Sequence, residues 1–472
     1  MKVLFIQKQL FAYSGIMAVS GFLKKNKHEC FVLIDAVMSN KQMIEKVKAI
    51  GPDIIGFTLM STEHNWFLEI SKLVKQNFPQ VPIIAGGVHS ILYAEELISI
   101  SELDYVCRGE GEITISQILE YLDSKRAIEE VNGIMYKKNG AIYKTELNRL
   151  IGLDNFVEDR NIYYDDYEVL RNLPLKIFFS SRGCPFQCNF CINGQLLEKF
   201  KGTGRYVRRK SVQNFIAEFE YVKDKYGMSS VYIADDLFVW DKKWLQDFSR
   251  QYKEKVGVPF ITTCYADRLD EEIVQYLSAA GCHTVSFGVE SGNEELRTKI
   301  LNKKISDAQL LYAGELLRKA HIRFQTSNMF CLPYETVEDA IKTIDLNIKM
   351  RATFSMCAIF MPFPKTELAG TCIELGILKP DYSFQDIPTS FVTHSVLNIK
   401  DKDTIERLQK VAGLIIQYPK LRNFLIFTAK YIKVDTLHFI LYLASQILRI
   451  RAERKLSLYE AMSYLWTYRK GI

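Results

Sequence analysis

Three cysteines, Cys184, Cys188 and Cys191, fall in the string Ser-Arg-Gly-Cys-Pro-Phe-Gln-Cys-Asn-Phe-Cys, a C-x3-C-x2-C spacing just after an apolar run that reads as a strand. Thiolates this close in sequence fit on one short loop around one metal centre, which fixes where a strand must end and a loop begin. Structural zinc takes four ligands and closes its shell, but no His or fourth Cys stands nearby in sequence. Iron–sulfur clusters are held by Cys thiolates, usually four. With three, one iron of a [4Fe–4S] cluster stays open to a ligand from a substrate. The bland alternative is three buried thiols that merely cluster. The spacing, the preceding strand and the aromatic Phe190 before the third Cys favour the metal.

The string resembles the signature loop of the radical S-adenosylmethionine (SAM) superfamily. The resemblance implies that the open iron chelates the amino and carboxylate groups of SAM and that the reduced cluster cleaves it to a 5′-deoxyadenosyl radical. It implies a radical SAM core over about 174–375. Six strands can be placed there, at Leu175–Ser180, Ser230–Ala234, Phe260–Thr263, His283–Val289, Arg323–Phe330 and Phe354–Met361, with helical segments between most of them. That predicts a partial (β/α)6 barrel, whose functional residues belong at strand C-termini. Asp235-Asp236 follows the second strand, where the family receives the SAM amino group. Gly288-Val-Glu-Ser-Gly292 follows the fourth and resembles the element whose acid, here Glu290, meets the SAM ribose. Carboxylates suit both tasks, accepting hydrogen bonds from an ammonium or a diol. Each has a structural alternative: Asp236 could cap a helix, and Glu290 could pair with a barrel Arg such as Arg268. Cys331-Leu-Pro-Tyr-Glu-Thr336 looks like the family's Gly-Leu-Pro-Gly-Glu-Thr element, with both Gly replaced. The Pro-rich turn Pro362-Phe-Pro-Lys-Thr-Glu-Leu368 reads as structural.

Residues 1–125 alternate apolar runs with amphipathic stretches such as Trp66–Gln76. The strands expected are Val3–Gln7, Cys30–Asp35, Asp53–Thr58, Ile83–Ala85 and Asp104–Cys107. Repeated strand–helix units predict an α/β, doubly wound parallel sheet with ligands at the strand carboxyl ends. Its loops resemble a Rossmann-like cobalamin-binding domain of the kind fused to radical SAM enzymes: Pro52-Asp-Ile-Ile-Gly-Phe-Thr-Leu-Met60, then Ala85-Gly-Gly-Val-His89, then Asp104-Tyr-Val-Cys-Arg-Gly-Glu-Gly-Glu112. The resemblance gives Thr58 a contact with the buried nucleotide tail of cobalamin and Gly86-Gly87 the space for it, since a residue without Cβ leaves room against the main chain. A tight strand-to-helix turn would explain the Gly pair equally well. Cobalamin proteins with a histidine ligand carry D-x-H-x-x-G. Taking Gly15 as its Gly, this chain has Leu10 and Ala12 at the Asp and His positions. No protein His is therefore expected on cobalt, and His64 and His89 read as packed or hydrogen-bonding residues.

Residues 126–173 read as a linker. Within it Asn139-Gly140 stands between two alternating runs, a hairpin signal, and Asp154–Asp166 should wrap as a connector. From 376 to 472 the chain becomes helical, basic and aromatic. Leu437–Leu448 is too short and interrupted to span a bilayer. A helical cap over the barrel is expected in preference to a membrane-surface helix, although Lys430, Lys433, Arg449, Arg451 and Arg454 flank it.

The net charge of +6 over 472 residues gives no case for nucleic acid. The run Arg205-Tyr-Val-Arg-Arg-Lys210 reads as a solvated face or cofactor rim. Ten Cys with no export signal (Val3-Leu-Phe-Ile6 is too short for one) point to reduced thiols and a cytoplasmic enzyme. The resemblance covers about 1–375. It implies methylation of an unactivated carbon, or of phosphorus, in a small biosynthetic intermediate. One SAM supplies the radical, a second recharges methylcobalamin, and a low-potential donor such as ferredoxin or flavodoxin supplies electrons. Ring formation or rearrangement with the same cofactors is the alternative. A non-catalytic iron–sulfur and cobalamin sensor is disfavoured by the acids at the barrel mouth.

Overall fold

The computed structural model describes residues 1–388, 390–454, 459 and 462; Thr389 and the rest of the C-terminal stretch, within the expected helical region, lie outside the described residues. Two compact units emerge. One comprises Met1–Pro185 with Gln195–Ser229, the other Phe186–Gly194 with Ser230–Ile472.

The first unit is built on a seven-stranded sheet of β1 (Lys2–Gln7), β2 (Glu29–Ile34), β3 (Ile54–Thr58), β4 (Ile83–Gly86), β5 (Tyr105–Cys107), β6 (Ile134–Lys138) and β7 (Ala141–Lys144). The order is β2-β1-β3-β4-β5-β6-β7, with β1 to β5 parallel and β6 and β7 antiparallel. Val3, Leu4, Phe5 and Ile6 of β1 are all buried, as a parallel strand covered on both faces requires. Met43 and Val47 of helix Asn40–Ile50, with Phe67, Ile70 and Val74 of helix His64–Asn77, fill one core cluster. Ser39 and Gln42 start the first of these helices as a reciprocal capping box, and Gly51 at φ +61° ends it. Strand order reverses between β1 and β3, the position where such sheets open a ligand crevice at their carboxyl ends.

The hairpin forms where Asn139-Gly140 predicts it, with φ of +52° and +78°, and extends the sheet as its antiparallel edge. The Asp154–Asp166 stretch is far from a loose connector. Phe156, Glu158, Arg160, Ile162, Tyr163 and Tyr164 are all buried, and the Tyr163 hydroxyl donates to the Gln7 side chain at the end of β1. Three further strands follow in this unit: β8 (Leu175–Phe178) and the short antiparallel pair β9 (Ser181–Arg182) and β10 (Arg208–Arg209). Here one expectation needs correction. Arg208 and Lys210 are not on a solvated face. Arg208 is buried against Glu110 and Lys210 against Glu158 and Glu218. A sequence displays the basic run but not the acids, 52 to 98 residues away, that neutralise it for two of the three pairs.

The second unit holds β11 (Ser230–Ile233), β12 (Phe260–Thr263), β13 (Cys282–Glu290), β14 (Arg323–Phe330) and β15 (Phe354–Ile359), parallel neighbours in chain order. With β8 these are the six strands expected. The helix Lys402–Gln417 lies along β15, with the Gln409 amide donating to Cys357 O at 2.6 Å. Helices Arg422–Tyr431 and Asp435–Arg454 pack on it in turn. Among the described residues no helix is long and apolar enough to cross a membrane.

Candidate cofactor-binding sites

In the first unit Thr58 ends β3 beside Gly86, which ends β4. The two glycines have different reasons. Gly87 sits at φ +87°, and a Cβ there would lie 2.8 Å from both N and O of Leu59, so the chain itself demands glycine. That supports the tight-turn explanation for this residue. At Gly86 a Cβ would meet only Phe57 O at 3.7 Å and Cys107 Cβ at 3.9 Å, ordinary contact, and no left-handed angle is involved. Nothing in the protein requires glycine at 86. Space left at a strand carboxyl end fits a bulky ligand there.

His64 and His89, the nearest histidines in sequence, are both buried. His64 Nδ1 lies 3.2 Å from His89 Nε2, and His89 Nδ1 lies 3.2 Å from Ser61 Oγ. Burial lowers the pKa of His64. The pair spans 25 residues of sequence, and neither member advertises the other.

The Cys loop begins after Gly183, whose φ of +86° turns the chain away from β9. Seven of the ten cysteines are buried in packing, whereas Cys184, Cys188 and Cys191 are half-buried. That contrast fits thiols kept for ligation. Among the described residues no group of three or more His, Cys, Asp or Glu is drawn together as a metal site, and the triplet is no exception. The donor set nevertheless suits iron and sulfide.

In the second unit, the part of that loop from Phe186 to Gly194 is firmly anchored. Asn189 Nδ2 donates to Ile300 O at 3.0 Å, Asn189 N donates to Leu301 O at 3.1 Å, and Asn302 Nδ2 donates to Gln187 O at 2.8 Å. Phe190 packs against the core cluster that contains Leu301, Leu332, Phe360 and Leu368, so the aromatic before the third Cys is a packing anchor. Asn193 Nδ2 reaches Cys191 Sγ at 3.6 Å and also bonds Asp236. Protein crowding, then the neighbouring Asp235, raises the Asp236 carboxyl above its ordinary value against that bond. Asp235 is buried, and its carbonyl accepts from the Thr263 hydroxyl.

Glu290 stands at φ +65°, where the β13–β14 register slips between Gly288 and Glu290. Its Oε1 accepts from Lys303 Nζ at 2.8 Å, both residues being buried. Arg268, the partner considered from sequence, instead lies over the Phe186 ring at 5.5 Å. A Cβ on Gly288 would fall 1.7 Å from the Glu290 carboxylate and 2.5 Å from Lys303 Nζ, so this glycine makes room for the ion pair. Gly292 serves the helix Val337–Met350, since a Cβ would meet Lys342 O at 2.3 Å. Lys303 also lies 5.0 Å from the Tyr265 ring centre, and Tyr265 stacks on Phe186 at 4.1 Å. Sequence reasoning missed Lys303 and Tyr265, because nothing beside Glu290 in sequence points to a cation 13 residues on.

Cys331 and Tyr334, where the family element has glycines, still hold left-handed backbone at φ +63° and +65°. The turn is kept at a cost of about 1–2 kcal/mol per residue. Beside it Glu335 is buried and accepts from Leu332 N at 3.2 Å. Burial pushes its carboxyl up to about 8, against the pull of the Leu332 and Cys331 N–H groups. A carboxyl raised on folding favours the native state fully below its unfolded pKa, and that advantage is lost as pH rises through the folded pKa. Stability should therefore fall by a few kcal/mol, at about 1.4 per pKa unit, between the ordinary Glu range and about 8. Glu335→Gln is expected to flatten this loss. Urea midpoints across the window check it; equal falls in both proteins would refute it.

The sequence matches two family models: B12 binding domain over residues 11–119 and Radical SAM superfamily over residues 178–346, together more than half of the chain. The chain is a radical SAM protein carrying an N-terminal B12-binding domain. It is 28% identical over 340 residues, 70% of this chain and 72% of the relative, to Uncharacterized methyltransferase PH0819 of Pyrococcus horikoshii. It is 26% identical, over 73% of this chain and 71% of the relative, to cytidylyl-2-hydroxyethylphosphonate methyltransferase of Streptomyces wedmorensis. Its fold matches the cobalamin-dependent SAM radical enzyme OxsB, solved with aqua-cobalamin and SAM, at a TM-score of 0.70 and 15% identity, covering 99% of this chain and 75% of that one.

Proposed function

We propose that this protein methylates an unactivated carbon, or phosphorus, of a small biosynthetic intermediate, using SAM, cobalamin and a [4Fe–4S] cluster. The observation that carries this is the pairing of both domains with two relatives named as methyltransferases, each matched over more than two thirds of both chains. When bound, these groups supply one-electron chemistry and a methyl carrier, and the protein supplies placement. In this reading Cys184, Cys188 and Cys191 hold the cluster. Phe190 and Asn189 fix their loop on the turn at 300–302. Glu290, oriented by Lys303, takes the SAM ribose, and Asp235 and Asp236 take its ammonium. Thr58, Gly86 and Gly87 line the cobalamin tail, and a ferredoxin- or flavodoxin-like donor reduces the cluster. Lys303 matters by its bond to Glu290 Oε1, which fixes one carboxyl oxygen and leaves the other to accept from the ribose.

The test uses reduced, cobalamin-loaded enzyme, methyl-labelled SAM and candidate substrates. Methylation should yield 5′-deoxyadenosine and S-adenosylhomocysteine in near-equal amounts, with label in the product. Deoxyadenosine with an altered but unlabelled substrate, and no S-adenosylhomocysteine, would replace this reading with ring formation or rearrangement.

A further inference from the structure

The C-terminal helices leave an unusual surface. Tyr418, Leu421, Phe424, Phe427, Tyr431, Val434, Leu437, Phe439 and Ile440 are all exposed, and they include three of the four exposed Phe among the described residues. On helix Arg422–Tyr431 the burial pattern is one-sided. Leu425, Ile426, Thr428 and Ala429 face inward, while Phe424, Phe427 and Tyr431, at helical spacing, face out with 64%, 54% and 69% exposure. Apolar outer faces of this extent mark an interaction surface.

Charge selects the occupant. Between 418 and 434 there is no acid, and Lys420, Arg422, Lys430 and Lys433 interleave with the aromatics. Arg422 is bonded to Asp345 at 2.6 and 2.7 Å, and Lys430 lies 3.8 Å from Glu338. Lys420 and Lys433 have no acidic partner among the described residues. A second copy would bring like charges together. A bilayer interface takes Phe, Tyr and Leu into its acyl boundary while anionic headgroups meet the lysines.

We infer that the face made by helix Arg422–Tyr431, the turn after it and the start of helix Asp435–Arg454, through Ile440, docks this protein on anionic lipid surfaces without spanning them. This is independent of the reaction catalysed. It takes up the membrane-surface alternative weighed from sequence, because a pattern cannot show which side of a basic helix the fold leaves bare.

Flotation of the full-length protein with phosphatidylcholine vesicles, with and without phosphatidylglycerol, tests it. Binding is expected to the anionic vesicles only and to weaken with salt. The pair Phe424→Ser and Phe427→Ser, or the pair Lys420→Glu and Lys433→Glu, should reduce it by at least about tenfold, with circular dichroism and thermal midpoint unchanged. No flotation with either vesicle overturns the inference. So does equal binding to neutral vesicles that ignores the lysine reversals, or a concentration-dependent dimer abolished by the Phe substitutions, which would make the face a contact between copies.

Discussion

Cys188→Ala is expected to lose the brown colour of a cluster after anaerobic purification, lacking its iron and sulfide and forming no 5′-deoxyadenosine from SAM. Cys184→Ala and Cys191→Ala should behave alike. The three thiols are the half-buried ones among ten, and every other Cys is enclosed in packing. Cys264, Cys282, Cys357 and Cys372 are buried, so none is an accessible thiol to substitute. On the proposed assignment three ligands leave no reserve: losing one would remove a third of the protein's hold on the cluster. Cys282→Ala is the matched control, because its sulfur only bonds Thr284 O at 3.5 Å within its own strand. Iron and sulfide content, visible absorbance and nucleoside yield decide it. Wild-type deoxyadenosine from the Cys188→Ala protein would end the assignment.

What could be read in advance follows from what is local. A Cys loop, a Gly pair or an Asn-Gly turn acts within a few residues, and the apolar runs of β1 and β3 are long enough to announce buried parallel strands. Pairing across distance is different. Glu290 gave no hint that Lys303 would hold it, nor His64 that His89 would. Lys210 read as one charge in a solvated run because its two partners lie 52 residues before it and 8 after it, on separate elements. The replaced glycines at Cys331 and Tyr334 were visible, but not that the left-handed turn would persist without them. Burial decides each case, and burial belongs to the fold.

Lys210→Met is expected to destabilise the first unit by about 3–5 kcal/mol, the cost of breaking a buried ion pair by removing one partner. Lys210 Nζ lies 2.8 and 2.9 Å from the two oxygens of Glu218 and 3.2 Å from Glu158 Oε1. Glu158 is further held by Arg160 at 2.9 Å and by the Ser14 hydroxyl at 2.8 Å. All four charged side chains are buried. Burial lowers the Lys210 pKa, but Glu158 and Glu218 outweigh it and raise it above the ordinary value. The ammonium therefore stays charged, and its stabilisation is lost only as pH rises through that raised pKa. Without it, Glu218, whose pKa burial already raises, faces Glu158 with Arg160 at 4.0 Å as its remaining cation. The network ties Ser14 at the start of the first helix to Glu218 on helix Val212–Tyr226, so its loss should loosen the unit as a whole. Adding Glu218→Gln should recover part of the loss, because it removes the carboxylate left unpaired. Urea unfolding of the single and double variants measures both terms. A Lys210→Met protein as stable as wild type would mean that water reaches these charges and that the network is no more than a surface feature.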